Sequence, residues 1–477
     1  MARVRRAAQA VAFIATLATA QAWGATPVAT GLPPPVAAAL ERAGVPPEAL
    51  GVVVQDLASG RRVLQWQEGK PLNPASLTKL LTTASALDRL GPAWAWSTPV
   101  WLQGTVRDGV LEGSVVIKGS GDPKLVLERV WLLLRRIQQQ GVREIRGDIV
   151  IDGSAFAVPD ASPGDFDGEP LRPYNVRPAA LLLNYRSVTY TFVPESGGMA
   201  RVLVEPPLAQ AVVDRTVPLG AGPCEDWRAG LKATFDPGRT RFAGTYPAAC
   251  GELAWSTADP QPQSYDARLI EGLWREMGGQ LQGAVREGRA PADARPTFEL
   301  RSPPLAEVVR DINKYSNNVM AQQHFLSMPL AADGASVSTP DTAREALLRW
   351  LALRTGEPGA EVVIDNGSGL SRLTRLSAGR LAQVLVQAYG SPVMSELMSS
   401  LPVTGLDGTL RRSRTATGRA HLKTGSLRDV TAVAGFVLSA SGRRYVLVAI
   451  VNHPLAGAAR PALEALVQWA QRDAAAR

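Results

Sequence analysis

Asn73-Pro74-Ala75-Ser76-Leu77-Thr78-Lys79-Leu80-Leu81 is the stretch on which the reading of this chain turns. The spacing predicts a helix from about Ser76 to Leu90, led in by Asn-Pro-Ala and stopped by Gly91-Pro92. Leu77, Leu80, Leu81, Ala84 and Leu87 recur at helical spacing and give that helix a buried face. Residues three apart share a helical face, so the Ser76 hydroxyl and the Lys79 amine come within reach of each other. A serine alcohol attacks poorly until a neighbouring base takes its proton. A lysine buried among leucines loses solvation, and its pKa falls towards the range where it can be that base. A helix N-terminus adds positive potential for the developing alkoxide. The bland alternative is a surface serine beside a surface lysine.

Composition weighs against that alternative. The chain has seven lysines and 44 arginines, so its basic surface is made of arginine, yet lysine stands at 79 and again at 423. Arginine cannot lose its proton in a protein, whereas lysine can. This is also the only Ser-x-x-Lys in the sequence.

Two further motifs follow: Ser316-Asn317-Asn318 and Lys423-Thr424-Gly425-Ser426. Lys423 and the hydroxyls of Thr424 and Ser426 can receive a carboxylate, and Gly425 leaves room for a close approach. The second motif falls between two helical patterns, 305–315 and 317–326, where Ser316 can pass a proton and the Asn318 amide can orient Lys79 or a substrate backbone. Each has an ordinary reading too, as a strand-to-turn boundary and as a helix cap.

Around these motifs the pattern is mixed. Residues 51–67 read as a hairpin with a turn at Ala58-Ser59-Gly60-Arg61. From about 98 to 296 short β-rich segments alternate with Pro and Gly clusters, giving one or two inserted, mostly β modules. Helical patterns return at 342–353 and 377–389, and near the end come strands around 422–423, 433–438 and 445–451. A closing helix presents Leu463, Leu466, Val467 and Ala470 on one face.

In order and context the three motifs resemble the Ser-x-x-Lys, Ser-x-Asn and Lys-Thr-Gly signature of penicillin-binding proteins and serine β-lactamases. The resemblance is nearest to the low-molecular-mass class C penicillin-binding proteins, the D-alanyl-D-alanine carboxypeptidase/endopeptidases. It extends from about Leu40 to the C-terminus, with support from Gly119–Pro123, Asp365–Arg372 and Leu401–Leu410. It implies an α/β penicillin-recognition fold, an antiparallel sheet flanked by helices, with a catalytic domain from 31–97 and 297–477. The insertions expected are a domain from 98–165 with 265–296, and a third domain from 166–264. It implies acylation of Ser76 with Lys79 as base, proton relay by Ser316, and an oxyanion hole from the amides of Ser76 and Ser426. Asn318, Lys423, Thr424, Gly425 and Ser426 are expected to hold substrate, and Arg372 is placed to touch it. Tyr174 and the acidic stretch Asp165–Glu169 can also be brought to the site from the insertion. The substrates implied are peptidoglycan stem peptides, with β-lactam antibiotics as inhibitors.

Arg3, Arg5 and Arg6, an apolar run over 7–20 and the small residues around Ala22 read as a cleaved export signal over 1–22, which implies a periplasmic location. Its removal lowers the net charge from +8 to about +5. No later apolar run suffices to span a bilayer. The remaining charge allows weak adsorption on an anionic wall or membrane surface and does not call for nucleic acid. Cys224 and Cys250 pair as a disulfide in an oxidising compartment, the alternative being two buried thiols. No metal is expected, since no histidine lies near either cysteine, and no cofactor is expected. Two rival functions stay open. One is a β-lactamase, which needs a group to activate deacylating water. The other is a non-catalytic wall-binding or penicillin-sensing module. A Ser-His-Asp hydrolase has less support, because His324, His421 and His453 show no nucleophile-elbow context.

Overall fold

The computed structural model describes residues 31–360 and 362–473, so the expected signal over 1–22 lies outside the described residues. Five antiparallel strands form the main sheet, in the spatial order Ala420–Leu427, Val430–Leu438, Arg444–Asn452, Leu50–Asp56 and Arg62–Trp66. Its three inner strands are Val- and Ala-rich and buried on both faces, as a sheet covered on both sides requires. Alternation then sorts their side chains. Val52, Val54, Val433 and Val437 face the terminal helices Pro34–Arg42 and Arg460–Gln471. Val53, Ala432, Ala434 and Phe436 face a second layer containing Thr78–Leu90, Leu305–Tyr315, Asn318–Ala332 and Ala378–Tyr389.

Thr78–Leu90 runs through the middle of that second layer, and every residue from Thr78 to Leu87 is buried. Leu77, Leu80, Leu81 and Leu87 have no exposed surface, and burying each stabilises the fold by about 1.5–3 kcal/mol. The helix ends at Gly91, whose left-handed φ of 78° lets its amide return to the Leu87 carbonyl at 3.1 Å. The α-helix starts at Thr78, two residues later than the spacing suggests, because a short 3₁₀ turn over Ala75–Leu77 precedes it.

Between Ser97 and Arg301 the chain leaves this body. One seven-stranded sheet contains Ser97–Arg107, Val110–Lys118 and Phe298–Arg301 among its members. A five-stranded sheet with Met199–Glu205 at its centre and a small three-stranded sheet lie further out along the chain. One large apolar core runs through these sheets and includes Phe192, Phe242 and Tyr246, with Trp227 packed against it. Phe192 stacks on Tyr246 with ring centroids 5.2 Å apart. Cys224 and Cys250 are joined by a disulfide. The block also holds two long helices that the sequence reading does not single out, Leu127–Gln139 and Pro262–Glu276.

Gln323 ties this block to the body built on the main sheet. Its side-chain oxygen accepts from the Ala179 amide at 2.9 Å, and its Nε2 donates to the Ala179 carbonyl at 2.8 Å. Gln323 sits on the helix that begins at Asn318, so the same element carries a site residue and the anchor of the insertion. Among the described residues no helix is long and apolar enough to cross a membrane.

Candidate active site

Ser76 sits in the 3₁₀ turn, and the residue before it holds the turn in shape. Ala75 is fully buried with φ of 47°, a left-handed conformation that costs a non-glycine residue of order 1–2 kcal/mol. Three contacts keep it there. The Asn73 side chain accepts from the Ala75 amide at 2.9 Å, and the Asn73 Nδ2 donates to the Ser371 carbonyl at 2.8 Å. Gly369 approaches so closely that a Cβ there would lie 1.9 Å from the Ala75 carbonyl oxygen. On the other side a Cβ on Gly425 would lie 2.7 Å from the Pro74 oxygen, which explains why the lysine strand needs a glycine at that point.

Lys79 is fully buried. Its Nζ lies 3.0 Å from Ser76 Oγ, 2.6 Å from Asn318 Oδ1 and 2.6 Å from the Ser368 carbonyl oxygen. Burial first, and then the nearby charge of Lys423, holds its pKa well below the ordinary 10.5. A neutral amine has two N–H bonds and one lone pair. The Asn318 and Ser368 oxygens can only accept, so they take the two hydrogens, and the lone pair points to the Ser76 hydroxyl. That is the arrangement a general base needs.

Lys423 is the second fully buried amine. Its Nζ donates to Ser316 Oγ at 2.8 Å and to the Thr424 carbonyl at 2.8 Å, and burial pushes its pKa down to about 7. Ser316 forms the left-handed cap of Leu305–Tyr315, with φ of 57°, and its amide returns to Ile312. Asn317 caps the next helix by accepting from the Met320 amide at 3.0 Å. The tight corner between two helices therefore fixes both Ser316 and Asn318, one against each lysine.

The cleft above these groups has a volume of about 1030 Å³, and Ser76, Ser316, Thr424 and Ser426 line it. Thr424 Oγ1 lies 3.0 Å from Thr409 Oγ1. The wall carrying Thr409 is anchored by Lys314, whose Nζ donates to the Leu401 carbonyl and to Asp407 Oδ2, each at 2.6 Å.

Arg372 is placed differently. Its guanidinium donates to Asp429 Oδ1 at 2.8 Å and lies over the Phe166 ring, 4.8 Å from the centroid. Tyr174 donates to Asp167 at 2.9 Å. The acidic stretch thus meets the catalytic body through Phe166 and Arg372. His324 is fully buried against Trp96, and burial lowers its pKa to about 4. Among the described residues no group of His, Cys, Asp and Glu is set to hold a metal ion.

Ser368, Ala75, Lys314 and Thr409 were not singled out from sequence. Ser368 and Thr409 lie within stretches quoted above, Asp365–Arg372 and Leu401–Leu410. The signal for a role was present there, without the atom that carries it.

Known proteins share this arrangement of the chain. A family model described as D-Ala-D-Ala carboxypeptidase 3 (S13) family matches residues 35–473. The chain is 28% identical over 437 residues to the D-alanyl-D-alanine carboxypeptidase of an Actinomadura species, covering 87% of this chain and 79% of that protein. It is 23% identical over 420 residues to a D-alanyl-D-alanine carboxypeptidase of Haemophilus influenzae, covering 84% and 85%. The crystal structure of penicillin binding protein 4 from Haemophilus influenzae superimposes with a TM-score of 0.72 at 22% identity, over 91% of this chain and 99% of that one. A further crystal structure of that protein is complexed with a β-lactam. The fold is that of the penicillin-recognition serine hydrolases. With the family model matched over nearly the whole described length, the chain belongs to the D-Ala-D-Ala carboxypeptidase 3 (S13) family and is a serine peptidase.

Proposed function

We propose that this chain is an exported D-Ala-D-Ala carboxypeptidase that also cleaves D-Ala cross-links, working through an acyl-enzyme on Ser76 and acylated there by penicillin. The observation that carries the reading is the Lys79 amine, buried, with no carboxylate among the described residues paired to it, and 3.0 Å from the Ser76 hydroxyl.

Ser76 Oγ attacks the carbonyl of the penultimate D-Ala while its proton passes to Lys79 Nζ. The amides of Ser76 and Ser426 stabilise the oxyanion, a contribution of about 2.7–4 kcal/mol for a single such donor. The C–N bond breaks, and the departing amine takes a proton through Ser316, which Lys423 holds in place. Lys423, Thr424 and Ser426 hold the terminal carboxylate, and Gly425 lets the strand lie against the nucleophile turn. Asn318 orients Lys79 and the acyl side of the substrate, and Arg372, held by Asp429 beside Phe166, is assigned to the outer part of that side. Water then hydrolyses the ester. The β-lactam held by the Haemophilus influenzae relative supports acylation by that class of compound. The periplasmic location and weak association with anionic surfaces rest on the N-terminal sequence and the net charge. The division proposed is a catalytic domain from 31–97 and 297–477, with insertions from 98–165 plus 265–296 and from 166–264.

Release of D-Ala from a stem peptide ending in D-Ala-D-Ala tests the assignment. Wild-type protein is expected to release it, and Ser76→Ala to fall by at least about a thousandfold. Comparable release by both proteins would overturn it.

A further inference from the structure

The cleft is larger than the leaving residue of a carboxypeptidase requires. At about 1030 Å³ it exceeds the roughly 300–1,000 Å³ that houses a whole drug-sized ligand, and one alanine is a small fraction of that. Its direction is set by the edge strand. Ser426, Thr424 and Leu422 alternate along the strand and all line the cleft, which then continues under the wall over 404–415 to the helix Arg460–Gln471. Ser316 and Tyr315 line it as well. These are the hydroxyls and neighbours assigned above to the departing amine and its carboxylate, so the extra room lies on the leaving side.

The continuation is basic. Arg411, Arg412 and Arg460 line it, all exposed. The guanidinium groups of Arg372 and Arg186 each have a carboxylate partner, Asp429 and Asp266, but those of these three make no hydrogen bond or ion pair among the described residues. Two carboxylates share the cleft. Asp407 is committed to Lys314 and to the Val403 amide, and Glu464 stands on the terminal helix. The balance leaves an excess of unpaired positive charge in a groove whose wall is pinned by Lys314 and by the Thr409–Thr424 contact.

We infer that this groove is a binding site for the leaving strand of a cross-linked substrate, in which Arg411 and Arg412 take carboxylates of a second peptide and Arg460 extends the site outwards. The inference rests on the acyl-enzyme reading above and adds the subsite that an endopeptidase needs. The amide broken joins the D-Ala carbonyl to the side-chain amine of a diamino acid. The carbonyl stays on Ser76 Oγ, and the amine departs with the proton that Lys79 took from Ser76, relayed through the Ser316 hydroxyl, which ends the step as it began. The rest of that second peptide, with its carboxylates, stays in the groove until it dissociates. A lone D-Ala reaches only as far as Thr424 and Ser426 and does not touch the arginines.

The experiment measures kcat/KM on two substrates, a stem peptide ending in D-Ala-D-Ala and a peptide dimer cross-linked through D-Ala to a diamino acid. It uses wild type, Arg411→Ala/Arg412→Ala and Arg411→Lys/Arg412→Lys. Exposed ion pairs contribute modestly, so the double alanine variant is expected to lose about tenfold on the dimer and less than about twofold on the single stem. The lysine variant keeps most of the dimer activity, and raised salt weakens cleavage of the dimer selectively. An equal loss on both substrates, no loss on the dimer, or a wild type that cleaves the single stem but not the dimer would overturn the inference and leave the carboxypeptidase reading standing. A wild type that cleaves neither substrate and takes no penicillin adduct would overturn both.

Discussion

The floor of the catalytic cleft and the inserted block hold their buried and partly buried cations by opposite means. In the insertion Arg186 donates from Nε and Nη2 to Asp266 Oδ2, at 2.9 and 2.7 Å, and Arg268 pairs with Asp259. Burial raises the Asp266 pKa, yet the guanidinium beside it keeps a partner of opposite sign. In the floor the hydrogen-bond partners of Lys79 and Lys423 are hydroxyl, amide and carbonyl oxygens. An ionic partner preserves a charge, whereas neutral acceptors around a desolvated amine favour its loss. The insertion thus keeps its cations charged, and the floor, on the proposed reading, is fitted to lose a proton and act as a base.

Giving the floor what the insertion has breaks the contrast. Asn318→Asp places a carboxylate on Lys79 at the present 2.6 Å contact. An opposite charge at that range raises the lysine pKa and keeps it protonated at neutral pH. Release of D-Ala is expected to fall by about a hundredfold, within the range a general base contributes. The acid limb of the kcat/KM profile moves to higher pH, while the thermal midpoint stays level or rises. An unchanged pH profile would mean that Lys79 is not the group that titrates.

The converse experiment concerns the insertion alone. Cys224→Ser/Cys250→Ser removes the disulfide across a separation of 26 residues, which is worth about 3 kcal/mol on a chain-entropy estimate. Denaturant unfolding is expected to show that loss, and kcat for D-Ala release to stay within about twofold. A large drop in kcat with little change in stability would show that the outer sheets shape the cleft more closely than the Gln323–Ala179 anchor suggests.

The juxtaposition of Ser76 and Lys79, the proposed nucleophile and base, was legible because it depends on spacing along one stretch of helix, and the two are one turn apart. The cysteine pairing and the helix Leu305–Tyr315 were legible for similarly local reasons. What escaped was non-local or carried by the backbone. The Ser368 carbonyl that accepts a hydrogen bond from Lys79 lies 289 residues away, and any residue type can supply a carbonyl. The left-handed Ala75 reads as ordinary helix lead-in, because its conformation is imposed by Asn73 and by the close approach of Gly369. Leu127–Gln139 was lost within a Pro- and Gly-rich texture although its buried Val130, Leu133, Leu134 and Ile137 keep helical spacing. Arg372 was expected at the substrate, and its position over Phe166 depends on a fold contact that its own neighbours in sequence do not signal.

The most direct test of the account follows acylation by benzylpenicillin as a function of pH, with peptide mass mapping of the product. Lys79 must be unprotonated to accept the Ser76 proton, and its pKa is lowered by burial and by Lys423. The account predicts one covalent adduct, on the peptide that carries Ser76, forming faster as pH rises through the lowered lysine pKa and absent in Ser76→Ala. An adduct on another peptide, or a rate on Ser76 that is flat or falling with pH, would contradict it.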